Sequence, residues 1–444
     1  MRARWIGLLA AALAPSRALG APGEHVQLGE LDVIPSVAAG VTYHSNVYLA
    51  DGVTEDAIGA PALQLQPGIA FALDKPDVQL DAAVSYRLRK YVDLVQDDVR
   101  VDNLDGFNEV DSSLRLRAFR TSAVGLSVDD TFTSRNYPTG GAENEGNANS
   151  VTTSNDLLGG LIFRGGTAVE VETLAALRID DYRIPGVGQY NNAVSRGPVL
   201  NGKWRVSPKT ALVSHNAVTW AGWGDNLVRA VGPEFEGGDY GEYVGKPDSL
   251  AWYTIWGVEG KPTGKIWVQA QVGYGEAYQD EATVVAEAAG VDPSEIDGSG
   301  AGEGYAQDLT GFPKGLIVRT LVTWEPLSHQ ALSLGYNKDF RDTLFTNYVS
   351  FHYGFLRYKG GLAGRLGLGV ELGLWRDAFH GEMSRVDLNL QATVELTYKV
   401  TSFVEIHLVG GWRQRSCGEV DCASQFYTTQ YDDLRGELGV TVAY

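Results

Sequence analysis

The sequence predicts an all-β fold: a transmembrane antiparallel up-and-down β-barrel of about eighteen strands, with both termini on the periplasmic side. Three observations predict it. Apolar and polar residues alternate with period two over stretches of roughly 10 to 15 residues, where an average globular strand has ~5–6. The polar face of these stretches bears full charges of both signs along its whole length. Connections alternate, short then long, down the chain, a sorting that a soluble sandwich has no reason to adopt.

The alternation is clearest in three stretches. In "DVQLDAAVSYRLRK", Val78, Leu80, Val84, Tyr86 and Leu88 oppose Gln79, Asp81, Arg87 and Arg89. In "GLAGRLGLGVELGLW", Leu362, Leu366, Leu368, Val370, Leu372 and Leu374 oppose Arg365, Glu371 and several glycines. In "EMSRVDLNLQATVELTYK", Val386, Leu388, Leu390, Val394, Leu396 and Tyr398 oppose Arg385, Asp387, Asn389, Gln391, Glu395 and Lys399. Tight turns are expected at 74–76, 164–166, 207–208, 260–264, 325–328, 359–361 and 399–402, marked by Gly, Pro and Ser. Longer polar links fall around 50–60, 96–106, 137–150, 184–192, 224–250 and 280–308, with shorter loop-like links near 340–344, 377–382 and 416–425. The first strand is expected over 35–49 and the last at Tyr444.

Trp324, Tyr398 and Tyr444 fall on the apolar parity beside short turns, and Trp220 and Trp412 near the opposite ends. Two such bands are the interfacial girdles of a barrel, where an amphipathic ring sits half in lipid. The closing "RGELGVTVAY" has Leu438, Val440, Val442 and Tyr444 on one side, with Arg435 and Glu437 on the other. It resembles the assembly signal read by the bacterial barrel assembly machinery, and pairing it with the first strand removes both sheet edges.

The start of the chain is organised differently. Arg2 and Arg4 precede the apolar run Trp5 to Ala14, and small residues lead to a cleavage point after Gly20. Residues 1–20 therefore read as a signal peptide, 21–33 as a short periplasmic segment and 34–444 as the barrel. Cys417 and Cys422 in "CGEVDC" suit a small disulfide loop in an exported chain, and no further ligand stands near them for a metal. With 36 basic and 55 acidic residues the net charge is -19, which argues against nucleic acid as a partner.

By parity, the inward set comprises Arg87, Arg89, Arg115, Arg117, Glu170, Glu172, Arg178, Asp180, Arg365, Glu371, Arg385, Asp387, Glu395, Lys399, Glu405, His407, Arg413, Arg435 and Glu437. These are the candidate lumen-lining residues. Two roles compete for each: contact with a passing solute, or pairing across neighbouring strands to hold the wall rigid. The acidic loops at 224–250 and 280–308 read as solvated surface loops, either of which could fold into the lumen as a constriction. Seven histidines stand apart from one another, with no nucleophile elbow and no metal-binding His pair. Neither catalysis nor a cofactor is expected.

The segment "VIPSVAAGVTYHSNVYL" (33–49) resembles the opening of a bacterial family of outer-membrane barrels associated with exopolysaccharide gene clusters. The matching positions are Pro35, Tyr43, Asn46, Val47 and Tyr48, while Ser45 stands where the family commonly has an acidic residue. The resemblance implies a conduit for a polysaccharide chain, working with a periplasmic polysaccharide export protein. The residues themselves leave two alternatives open: a general or substrate-selective porin for small solutes, or a structural barrel whose surface loops bind partners. If the closing strand is the assembly signal, Tyr444→Asp or deletion of Tyr444 should lower the folded outer-membrane population while leaving signal-peptide cleavage unchanged. Fractionation with a heat-modifiability gel reads both.

Overall fold

The computed structural model describes residues 26–45, 59–92, 95–96, 99–100, 107–138, 149–166, 168–183, 193–223, 227–229, 242–244, 248–279, 314–342, 348–380, 385–417 and 431–443. The signal peptide, Asn46–Tyr48 of the resemblance motif, most of both acidic loops, Cys422 and Tyr444 lie outside them, and with them the proposed disulfide.

Eighteen strands make one closed wall. They are β1 Leu31–His44, β2 Ala60–Asp74, β3 Val78–Tyr91, β4 Phe107–Ala118, β5 Val124–Pro138, β6 Asn149–Gly165, β7 Val169–Arg183, β8 Ala193–Ser207 and β9 Thr210–Trp223. The wall continues through β10 Ser249–Thr263, β11 Ile266–Gln279, β12 Lys314–Trp324, β13 Gln330–Asp342, β14 Tyr348–Ala363, β15 Leu366–His380, β16 Arg385–Lys399, β17 Val404–Cys417 and β18 Tyr431–Ala443. Each strand pairs antiparallel with the one before it, and β18 returns to β1 over Ser36↔Ala443 to His44↔Arg435. A three-residue strand, Val26–Leu28, folds back on the start of β1 through Gly29 at φ 70°. Strand structure therefore reaches into the stretch expected to be a periplasmic segment, and β1 begins earlier than the sequence suggested.

Side-chain parity is consistent round the ring. The exposed large apolar residues occupy one parity in each strand: Val37 and Val41 in β1, Val84 and Leu88 in β3, Leu200 and Trp204 in β8, Leu372 and Leu374 in β15, Leu438 and Val440 in β18. The opposite parity holds buried charges such as Asp387, Arg415 and Asp433. On a closed wall, side chains of the concave face converge and shield one another, whereas those of the convex face diverge. The apolar parity is therefore the outside. Trp204, Trp324 and Tyr398 are exposed there at the short-turn end, with Tyr43, Trp220, Tyr278 and Trp412 toward the other. Trp204 stands opposite Leu212, eight residues before Trp220 on β9. At ~3.4 Å per residue and a tilt of ~40° that is about 21 Å along the axis, close to the ~25 Å of a barrel's apolar band.

The short connections are residues 75–77, 119–123, 166–168, 208–209, 264–265, 325–329, 364–365 and 400–403. Two differ from expectation. "KGG" at 359–361 is strand, with Lys359 opposite Gly369, and the chain reverses four residues later at 364–365. A glycine pair there signals a turn in sequence, but a strand interior accepts it where the neighbouring strand fills the space. The turn at 119–123 has neither Gly nor Pro to announce it, and Phe119 takes the left-handed conformation at φ 56°. Neighbouring turns hold it instead. Arg120 Nη1 donates to Asp74 Oδ1 at 2.5 Å, Thr121 Oγ1 to Asp77 Oδ1 at 2.8 Å, and Arg164 Nη1 to Phe119 O at 3.2 Å.

At the closure Gly40 stands opposite Gly439. A Cβ on Gly40 would lie 2.7 Å from Leu438 O. Gly40→Val should therefore overpack the seam by ~1–3 kcal/mol, and the temperature at which the heat-modifiable band is lost should fall.

Candidate functional site

The concave wall is the candidate site, and its organising feature is charge pairing between strands. On β3, Arg87 Nη1 reaches Glu109 Oε2 of β4 at 2.5 Å, and its Nε donates to Gln66 Oε1 of β2 at 3.1 Å. Arg89 Nη2 donates to Gln64 Oε1 at 3.4 Å. The Asp129 carboxylate on β5 serves two cations of β4, Arg115 at 3.1 Å and Arg117 at 2.7 Å. Glu170 lies 3.6 Å from Arg164. Arg178 holds Asp180 with both forks, at 2.5 and 2.8 Å, and reaches Asp156 at 3.8 Å.

The later strands repeat the pattern. Glu371 accepts from Arg357 Nε at 2.7 Å and from Tyr353 OH at 3.4 Å. Arg415 donates to Asp387, and Arg435 to Asp433, both acids being fully buried. His407 Nε2 lies 3.1 Å from Glu437 Oε1. The Arg413 guanidinium sits 5.5 Å from the Tyr431 ring centroid. Lys399 and Glu405 stand opposite each other at the short-turn end, and Glu395 packs against Gly369. Arg385 is the first residue of β16. Arg365 is not a wall residue: it lies in the turn at 364–365, where its Nη1 donates to Val400 O at 3.2 Å. Period-two parity cannot be extrapolated through a turn, so its assignment to the lumen is corrected to the rim.

Several partners were missing from the sequence-derived set: Glu109, Asp129, Arg357, Arg415, Asp433, and the buried pair Arg319–Asp339 at 2.9 Å. Glu109, Arg415 and Asp433 share the parity of the predicted residues in their strands, and Asp129, Arg319, Asp339 and Arg357 lie on the parity opposite the exposed apolar residues of theirs. Their signal is present in sequence as opposite charges on successive strands, but it becomes readable only once register is known.

Two other features interrupt the charged wall. Glu172, Asn201, His215 and Tyr253 form a hydrogen-bonded chain across β7 to β10, with Asn201 Nδ2 to Glu172 Oε2 at 2.7 Å and Tyr253 OH to His215 Nε2 at 2.7 Å. Beside it, Leu174, Val199 and Ala217 make a small apolar cluster. On β14 and β15, Tyr353 is stacked between Trp375 at 4.6 Å and Phe355 at 5.3 Å, with Arg357 lying 5.3 Å from the Phe355 centroid. Gly335 and Gly373 make room for these rings, since a Cβ on Gly335 would overlap Phe355 and one on Gly373 would meet Trp375 at 2.8 Å. Among the described residues, no three His, Cys, Asp or Glu side chains gather as a metal ion requires.

No protein-family model matches the chain, and no curated protein matches it. Among solved structures it is similar to Pseudomonas aeruginosa OccK1 (OpdK), at 11% identity over 93% of this chain and 99% of that one, with a TM-score of 0.43. It is also similar to Pseudomonas aeruginosa OccK7 (OpdD), at 11% identity over 94% and 99%, with a TM-score of 0.46. The FrpB iron transporter from Neisseria meningitidis (F5-1 variant) matches at 9% identity over 92% and 81%, with a TM-score of 0.46. The barrel assignment rests on the strand pairing itself.

Burial decides which wall pairs matter for stability. The Arg415–Asp387 pair, with side chains 5% and 0% exposed, is among the most shielded. Removing one partner of a buried pair costs ~3–5 kcal/mol, whereas replacing both by apolar groups is often neutral. Arg415→Met should therefore lower the urea midpoint of the folded barrel far more than Arg415→Met combined with Asp387→Leu.

Proposed function

We propose that the chain is a channel in the outer membrane of a Gram-negative bacterium, passing small hydrophilic solutes along a charged lumen. One observation carries this reading: a wall closed on itself, apolar outside, with rows of ion-paired side chains inside. The outer face suits lipid, and closure of the wall removes the free strand edges whose unpaired groups hydrocarbon could not satisfy. A wall of about eighteen strands is wide enough to enclose an aqueous passage. In this reading the short turns face the periplasm and the long connections face outward. Cross-strand pairs such as Arg319–Asp339 and Arg357–Glu371 keep the wall rigid while offering both charge signs to solutes.

A second reading is the polysaccharide conduit implied by residues 33–49. The observation favouring it is the aromatic stack of Trp375, Tyr353 and Phe355 beside Arg357 and Glu371. Sugar rings present apolar C–H faces to aromatic groups and hydroxyls to forks and carboxylates, so such a rib suits a hydroxylated ring. A periplasmic export protein would then meet the short-turn rim.

Reconstitution in planar bilayers tests both readings. A solute channel gives steady unitary conductance that persists without any partner. A sealed barrel that conducts only after a periplasmic export protein is added would displace the first reading in favour of the second. With an open channel, Trp375→Ala should leave conductance within about twofold, since one exposed ring edge adds little to a wide lumen.

A further inference from the structure

The outer wall carries one feature that a lipid-facing surface does not need. Lys338 on β13, His352 on β14 and Arg376 on β15 stand directly opposite one another across three neighbouring strands. All three have the parity of the exposed apolar residues beneath them, Leu334, Leu356 and Leu374. His352 Nδ1 is hydrogen bonded to Tyr336 OH at 2.8 Å, and Tyr336 is itself exposed on that face. Each of the three lies four positions inside the long-connection end of its strand, at Asp342, Tyr348 and His380.

Their height follows from strand geometry. His352 is ten residues from Leu362, and Arg376 ten from Leu366, the apolar residues that flank the turn at 364–365. Ten residues at ~3.4 Å, tilted by ~40°, rise about 26 Å, which is the upper edge of an apolar band ~25 Å tall. The row therefore sits where hydrocarbon gives way to headgroups.

Lys338 and Arg376 flank His352 on its two sides, and two like charges this close repel each other. Among the described residues no carboxylate forms an ion pair with Lys338 or Arg376, in contrast to the wall's inner face. The next outward residue along this row on β16 is Leu388. Lys338 and Arg376 are separated by two strand spacings, ~10 Å, a gap short enough for two long cationic side chains to reach one anion held between them. An anion placed there would relieve the repulsion and meet several donors at once.

We propose that this row binds the phosphate of a phosphorylated lipid in the outer leaflet. The lipid source is favoured over free phosphate because the row stands directly above exposed leucines that would take up acyl chains. This placement rests on the outer-membrane reading above, though not on the barrel being a channel. Two cations near an anionic headgroup fix the lipid laterally, and the anion accounts for their standing together above apolar residues of the same face.

The test is native mass spectrometry of the folded barrel in neutral detergent. The probes are bisphosphorylated lipid A, the same lipid with its phosphates removed, and inorganic phosphate alone. The phosphorylated lipid should be retained and the phosphate-free lipid should not. Lys338→Gln with Arg376→Gln should weaken retention ~10-fold or more, as removal of two juxtamembrane cations implies, whereas Lys338→Arg with Arg376→Lys should keep it. Equal retention of the two lipids, or equal retention by the wild-type and the folded Gln variant, overturns the proposal. So does binding of inorganic phosphate in preference to the lipid. If the Gln variant fails to fold, the wild-type comparison between the two lipids decides alone. A barrel absent from the outer-membrane fraction would instead defeat the localisation reading on which the proposal stands.

Discussion

Closure of β18 on β1 is the constraint from which the rest of the structure follows. A strand edge carries unpaired N–H and C=O groups, each costing several kcal/mol in hydrocarbon, where no water can satisfy it. Nine register pairs, from Ser36↔Ala443 to His44↔Arg435, remove both edges. Once the ring is shut, every strand has one concave and one convex face, and the period-two alternation acquires its meaning. Residues such as Leu438 and Val440 then meet lipid, while Glu437 meets His407 within the lumen.

The same constraint explains why the inner wall is paired rather than merely charged. Side chains converging on a concave surface shield one another from water, so an isolated cation there loses hydration without compensation. The arrangement of Arg87 with Glu109, Arg319 with Asp339 and Arg357 with Glu371 restores that interaction across each strand boundary. Where pairing is replaced by aromatic rings, glycines on neighbouring positions make the space, as Gly335 does for Phe355. Outside, the opposite rule holds: divergent side chains stay exposed, and the cations Lys338 and Arg376 stand near the long-connection ends of their strands.

Much of this was legible beforehand. Val84, Tyr86 and Leu88 against Arg87 and Arg89 predicted both the strand and its polarity, because a side-chain period of two is a local property of extended backbone. Turns with Gly or Pro were also legible, since those residues alter backbone preference locally. The turn at 119–123 was not, because its left-handed Phe119 is held by Arg164 and by side chains bonding Asp74 and Asp77, contributed by other hairpins. "KGG" at 359–361 misled for the converse reason: its glycines answer to neighbouring strands rather than to a turn.

The candidate site divides along the same line. Sequence alone determined which residues share a face, so the charged set from Arg87 to Glu437 could be written down without coordinates. It did not determine their partners, nor that Arg365 leaves the wall for the rim. Partnership depends on register between strands, and each register is set by pairing between segments joined through turns of differing length. Opposite charges on successive strands become an ion pair only when that register sets them side by side. Tertiary structure decided that, because the contacts that matter here run across the sheet rather than along the chain.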